Sequence, residues 1–244
     1  MQGFDAASFG ALNADEYDTL HDPGTTEASV ALLAELFDGG REVLELAIGT
    51  GRIALPLAAR GFALTGFDGS PEMLDLLRAK PGGAEIETSV ADMADFDLGR
   101  RFDHAFLVFN TLFNLTTQEA QIGCFAAVAR HLRPGGLFLV ETFVPDLSGF
   151  SGHQRVKVNR LDMDRVWIEA ATHDPVAQRI DMQRVRIEAG GLRLVPLPMR
   201  YAWPAEIDLM ARLAGLRRIE RWGGWAREPF DADAGMHVSV YRKD

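Results

Sequence analysis

As far as Phe143 the chain alternates short runs of strand character, most of them largely apolar, with amphipathic stretches. Val43 to Ile48 is apolar enough for a strand buried on both faces, and Phe62 to Phe67, Glu85 to Val90, His104 to Phe109 and Leu137 to Phe143 read as the strands that follow it. Between them, Arg52 to Arg60, Pro71 to Ala79 and Gln118 to Leu132 carry the spacing of helices, and an earlier helix is predicted over Glu27 to Phe37 behind Thr25 and Thr26. Ser70-Pro71 is a cap followed by proline in the first helical turn, Gly39-Gly40 and Gly61 are helix stops, and Pro134-Gly135-Gly136 closes the long helix. Pro56 removes a backbone donor and predicts an irregularity near the first turn of its helix. Strand and helix in strict alternation predict a mostly parallel sheet covered on both faces.

The rhythm changes after Phe143. Val156 and Val158 flank Lys157, Ile180 and Met182 flank Asp181, and Val166 and Ile168 lie between Arg165 and Glu169, the period of one-sided antiparallel strands. Asp174-Pro175 and Gly190-Gly191 mark hairpins, so three or four strands are expected between about Gln154 and Tyr201. Pro204 opens a last helix ending near Gly215, and the strands Arg217 to Trp222 and Met236 to Arg242 finish the chain. The predicted class is α/β, a doubly wound, mostly parallel seven-stranded sheet with an antiparallel insertion after the fifth strand and an antiparallel C-terminal hairpin. Residues 1–244 are expected to form a single domain, with about 1–40 as an N-terminal helical lid and about 151–200 as the insertion.

Composition narrows the possible roles. The 244 residues are 47% hydrophobic and 25% charged, as in ordinary globular chains. The net charge of −10 would repel a phosphate backbone, which argues against a nucleic-acid partner. No apolar run reaches the length of a membrane-spanning helix, and Met1 to Gly10 has no secretory pattern, so a cytoplasmic protein is expected. Cys124 is the single cysteine and lies in an apolar helical stretch, where a small buried hydrophobe is expected. The six histidines have no metal-ligand spacing, and no metal is predicted. Charge is uneven: residues 151–200 hold nine Lys or Arg against six Asp or Glu, an excess of +3 that leaves −13 for the rest.

The strongest local signal is Glu45-Leu46-Ala47-Ile48-Gly49-Thr50-Gly51 between strand and helix. Small residues at 47, 49 and 51 permit a tight turn and close approach of a ligand. Gly49-Thr50-Gly51-Arg52-Ile53-Ala54 also fits a dinucleotide site, with Asp68 at the spacing of a ribose-binding acid. Glu45 disfavours a pyrophosphate and suits a cofactor bearing an ammonium and a sulfonium.

These residues, with Gly66-Phe67-Asp68-Gly69-Ser70-Pro71-Glu72-Met73-Leu74, Val90-Ala91-Asp92-Met93 and Leu132-Arg133-Pro134-Gly135-Gly136, resemble the ordered motifs of class I S-adenosylmethionine-dependent methyltransferases over roughly residues 40 to 143. Ala47 departs from the family's usual first glycine. The later layout is similar to aminosugar N,N-dimethyltransferases and glycine N-methyltransferase. The resemblance implies S-adenosyl-L-methionine as cofactor and S-adenosyl-L-homocysteine as product, bound by Tyr17, Glu45, Ala47, Gly49, Gly51, Asp68, Gly69, Met73, Asp92, Met93 and Phe109. In it Asp68 accepts both ribose hydroxyls, Asp92 accepts the adenine amino group, Met93 meets the ring, and Tyr17, in Glu16-Tyr17-Asp18-Thr19-Leu20, reaches over the methionine end.

Acceptor contacts are expected where the fourth and fifth strands reach the carboxyl edge of the sheet, at Asn110, Phe113, Asn114, Glu141 and Phe143, with Trp167 as a rim aromatic of the insertion. Methyl transfer is an in-line displacement that positioning alone can accelerate, by about 7–11 kcal/mol of the barrier. His153 and His173 are the candidates for a base. The acceptor implied is a small molecule or short peptide, with an amine nitrogen favoured over a hydroxyl because no base is evident. The alternatives are an O-methyltransferase, a cofactor-binding protein without methyl transfer, and an NAD-dependent oxidoreductase.

Overall fold

The computed structural model describes residues 3, 7–14, 17–20 and 24–244. Parts of the expected lid, including Asp5 and Glu16, lie outside the described residues. Five parallel strands form the centre: β1 (Glu42–Leu46), β2 (Ala63–Asp68), β3 (Glu87–Val90), β4 (Phe102–Leu107) and β5 (Leu132–Phe143). They are joined through α4 (Ala54–Ala58), α5 (Pro71–Ala79) and α6 (Gln118–His131), while α1 (Ser8–Asn13), α2 (Tyr17–Leu20) and α3 (Thr26–Leu36) precede β1. An insertion, β6 (Gln154–Leu161), β7 (Arg165–Asp174), β8 (Arg179–Glu188) and β9 (Gly191–Arg200), makes a separate antiparallel sheet. The chain ends with α7 (Pro204–Leu213), β10 (Leu216–Trp222) and β11 (Met236–Lys243), and the main sheet runs β10-β11-β5-β4-β1-β2-β3. The predicted class and element order hold. No helix among the described residues is long and apolar enough to cross a membrane.

Residue alternation sends each central strand into two cores. Val43, Phe106, Leu139, Val238 and Val240 pack towards α3 to α5. Leu44, Ala105, Leu107, Phe138 and Val140 pack on the opposite side with Cys124 and Phe125 of α6. Continuous apolar runs are thus needed because both faces are dry. Thr117 and Ser70 cap α6 and α5 by accepting from Ala120 N and Met73 N, which fixes the helix starts at the sheet's carboxyl edge. The starts of β3 and β4 are each displaced by about two residues from expectation, and two further boundaries differ for a local reason. α4 begins at Ala54 and is only one turn long, with Pro56 inside it, because Gly49 and Gly51 are still turning. β5 begins at Leu132, before Pro134, since Phe102 pairs with Leu132 ahead of a register shift.

The insertion shares the second core through Ala171, Ile180, Met182, Leu197 and Met199. Its register decides which apolar pairs face inward. Val158 pairs with Ile168 and Ile168 with Val185, whereas Ala171 pairs with Met182 and Met182 with Leu197. The early apolar pairs Val156/Val158 and Val166/Ile168 therefore lie on the face opposite Ile180/Met182. Val156, Val158, Ile187, Leu192 and Leu194 are exposed on it.

Buried polar groups tie the C-terminal strands down. His237, fully buried, hydrogen-bonds Thr142 Oγ1 at 2.9 Å and Ser239 Oγ at 2.8 Å, and burial pushes its pKa down to about 3. Its stabilising contribution is complete above the unfolded value near 6.5 and lost as pH falls towards the folded one. Buried acids with raised values titrate with the opposite sign, so the effect is read as a difference. Between pH 7 and 4.5 the stability gap between the parent protein and His237→Asn should narrow by about 2–3 kcal/mol, measured by urea unfolding; a gap independent of pH would refute the buried neutral histidine.

Candidate active site

At the carboxyl edge, where parallel sheets leave a crevice between loops, lies a cavity of about 540 Å³. Its first wall is the turn after β1. Ala47 (φ 51°), Gly49 (φ 55°) and Gly51 (φ 81°) take left-handed backbone, and Gly49 N donates to Asp68 Oδ2 at 2.9 Å. Ser70 N donates to Asp68 Oδ1 at 2.9 Å, so one carboxylate at the end of β2 fixes two loops while lining the cavity. Burial raises the Asp68 pKa, opposed by these backbone donors. A carboxylate with one donor on each oxygen still has lone pairs for a vicinal diol, the geometry a ribose presents.

Ala47, Gly49, Gly69, Met73, Asp92, Met93 and Phe109 all line the cavity, as does Tyr17. Asp92 Oδ1 accepts from Ala94 N at 2.8 Å, which sets the loop after β3. Tyr17 is held over this end because its neighbour Asp18 bonds Thr50 Oγ1 at 2.5 Å and Lys80 Nζ at 2.6 Å, while Lys80 Nζ donates to Thr50 O at 2.8 Å. Burial pushes the Tyr17 hydroxyl up to about 12, making it a hydrogen-bond donor and a poor base at neutral pH.

Two residues assigned to the cofactor stand behind the wall. Gly51 does not line the cavity, and a side chain there would meet Leu77 Cδ1 at 2.3 Å, so it serves close packing of the turn. Glu45 is buried under the turn with Oε2 unpartnered, and burial raises its pKa well above the usual range. An orphaned buried carboxylate oxygen there is an observation that fits a cationic cofactor.

Of the residues expected to contact the acceptor, Asn110, Asn114 and Phe143 line the cavity, with Thr111, Thr116 and Thr117 beside them. Phe113 does not; fully buried, it supports Phe143 edge-on at a ring distance of 4.8 Å. Glu141 is likewise buried behind the wall, and its Oε2 accepts from Phe109 N. Trp167 lies elsewhere: its Nε1 donates to Glu188 Oε1 at 2.8 Å and its ring has the Arg160 and Arg186 guanidiniums over it. His153 and His173 face each other 6.1 Å apart, His173 bonding Tyr201 Oη at 3.0 Å, and neither lines the cavity. They are not placed to act as bases there.

Sequence reasoning missed Gly10, Met182, Leu197 and Met199 on the wall. Gly10 is there because α1 packs so closely that a side chain on it would meet Ser70 Cβ at 2.3 Å. The insertion residues had a signal in their excess of basic charge. Of its nine basic residues Arg179 and Arg184 line the cavity, Arg179 while paired with Asp181 at 2.9 Å; Arg155, Arg160, Arg165 and Arg200, off the cavity, pair with Glu169, Asp162, Asp164 and Glu206.

A glycine turn over a parallel sheet, an acid at the end of β2, an acid after β3 and an antiparallel β10-β11 edge together define a class I S-adenosylmethionine-dependent methyltransferase. The comparisons agree. Residues 43–136 match the family model described as a methyltransferase domain. The chain is 32% identical over 196 residues to cypemycin N-terminal methyltransferase of a Streptomyces species, covering 79% of each. It superposes on the CcbJ methyltransferase of Streptomyces caelestis with TM-score 0.92 and 38% identity, covering 98% of this chain and 99% of that one. A shorter match, 32% over 99 residues and 41% of each chain, is to dTDP-3-amino-3,4,6-trideoxy-alpha-D-glucopyranose N,N-dimethyltransferase of Streptomyces venezuelae. The chain belongs to the S-adenosylmethionine-dependent methyltransferases.

Asp68 should dominate cofactor affinity. Asp68→Ala is expected to weaken S-adenosylhomocysteine binding by about 2 kcal/mol or more, read by calorimetry, with no NAD affinity in either protein. Unchanged affinity would remove Asp68 from the site.

Proposed function

We propose that the protein methylates the amine nitrogen of a small molecule or short peptide that also carries an anionic group. One observation carries the choice of nitrogen: among the described residues the acceptor end of the cavity is lined by amide, hydroxyl, apolar and arginine side chains and presents no carboxylate or histidine as a base. A neutral amine attacks through its own lone pair and loses its proton to water afterwards, whereas a hydroxyl needs proton removal in the transition state. Names of relatives support the reading, since one methylates a peptide N-terminus and another an amino sugar.

In this proposal Asp68 accepts the ribose hydroxyls, Asp92 and Met93 hold the adenine, and Glu45 acts from beneath the turn, behind the wall, on the positive methionine end. When bound, S-adenosylmethionine supplies an electrophilic methyl group on a sulfonium. Tyr17 closes the cavity from above, its hydroxyl protonated and able to donate a hydrogen bond. Asn110, Asn114 and Phe143 would orient the amine towards that methyl group. Residues 1–244 act as one unit in the cytoplasm, with the N-terminal segment as lid and residues 151–200 as the cover of the acceptor. Arg184 and Arg179 supply the positive charge that reads the anionic group.

Incubation with S-adenosylmethionine and a panel of amino sugars, free amino-terminal peptides and phenols should give products heavier by one or two methyl groups on nitrogen alone, by mass spectrometry. Methylation confined to phenolic oxygen would overturn the nitrogen reading. For the amine that reacts, Arg184→Gln should raise KM about tenfold or more with kcat nearly unchanged; an equal KM would remove the anionic group from the proposal.

A further inference from the structure

The described chain has six non-glycine residues with positive φ, and three of them, Ala47, Phe109 and Asn110, line the cavity. Ala47 stands where the turn needs such backbone. Phe109 (φ 63°) and Asn110 (φ 61°) are less expected, being consecutive and including a bulky aromatic. Each such residue costs on the order of 1 kcal/mol or more, and persists only where its surroundings over-determine it.

Here the surroundings belong to β5. Phe109 N donates to Glu141 Oε2 at 2.5 Å, Asn110 N to Glu141 O at 3.3 Å, and Phe143 N to Asn110 Oδ1 at 2.5 Å. Thr111 Oγ1 closes the corner on Val108 O at 2.7 Å, and the Arg52 guanidinium lies 5.2 Å from the Phe109 ring centre. Glu141 itself is buried and outside the cavity. Its carboxylate is therefore spent on one backbone N–H of a strained residue that faces the reacting groups.

We propose that Glu141 is a positioning residue: by accepting from Phe109 N it holds the Phe109–Asn110 corner in left-handed backbone, and the corner sets the acceptor in line with the transferable methyl. The proposal rests on the methyltransferase reading of the cavity, and adds to it a residue that touches neither cofactor nor acceptor. Without the bond the corner relaxes towards right-handed or extended backbone, moving Asn110 and Thr111 along the cavity wall. A shift of about 1 Å in such a wall is enough to cost on the order of a hundredfold in rate.

The test compares Glu141→Leu, similar in size but unable to accept, with Glu141→Gln, whose amide oxygen can. In Glu141→Leu, amide hydrogen exchange in a fragment spanning residues 107–114 should rise at least tenfold, with S-adenosylhomocysteine affinity within about threefold of the parent. With the amine that the parent methylates, kcat should fall about a hundredfold while KM changes less than fivefold, and Glu141→Gln should restore exchange and kcat to within about threefold. Parental exchange in Glu141→Leu would overturn the hold on the corner. A Glu141→Gln variant with restored exchange but lost turnover would also overturn it, because the carboxylate would then be acting on the acceptor directly. If the parent methylates no amine, the function proposed above fails, and the exchange and affinity measurements still decide whether Glu141 holds the corner.

Discussion

Buried carboxylates under the loops of one sheet edge are what this site depends on. Parallel strands stop abruptly at that edge, and the loops leaving them turn through left-handed backbone whose N–H groups need acceptors. Asp68 takes Gly49 N and Ser70 N, Glu141 takes Phe109 N, and Glu45 is buried under the first turn. Each acid lies at or near the end of a strand that the apolar cores fix on both faces, so the loop above inherits the strand's rigidity. The acid determines the loop, and the loop determines where a ligand atom can sit.

Charge is arranged to tolerate this. Burial pushes the pKa of Glu45, Asp68 and Glu141 upward, and Arg52, near Glu45 and Glu141, opposes that push for both. The same arginine also lies over Phe109 and donates to Thr26 Oγ1 at 3.1 Å, so it links the first turn, the β4 corner and α3. Removing it would leave two buried carboxylates without their nearest cation, a larger disturbance than loss of a surface pair.

Much of this was legible in the chain. The apolar runs Val43 to Ile48 and Leu137 to Phe143 could only be strands dry on both sides, and Ser70-Pro71 marked the start of α5 to the residue. The wall made by Ala47, Gly49, Asp68 and Asp92 was legible because its residues come in order along the chain, at the ends of successive strands. The acceptor side was not, because it is assembled from distant segments. Nothing in Leu137 to Phe143 distinguishes Glu141, a support behind the wall, from Phe143, which lines it, since a period of two places both on the same face. Trp167 looked like a rim aromatic, yet register puts it among Arg160, Arg186 and Glu188. The insertion's faces were ambiguous for the same reason. Alternation is symmetric about the strand, so only the pairing of Ala171 with Met182 and of Met182 with Leu197 decides which face is inward.

The exchange of Gly for Ala at position 47 follows from the same constraint. Left-handed backbone at a residue with a Cβ costs about 1 kcal/mol or more, and Ala47 adopts it at φ 51°. The turn tolerates this because its other demands fall elsewhere. Gly51 is where a side chain would meet Leu77, and Gly49 carries the N–H that Asp68 accepts. Ile48 N is held by Phe67 O at 2.9 Å, pinning the turn to β2 immediately after Ala47. With the residues on either side fixed by hydrogen bonds to a neighbouring strand, the chain has no cheaper route through position 47. The smallest side chain with a Cβ is accommodated there as a modest local cost of a geometry set by Asp68 and β2.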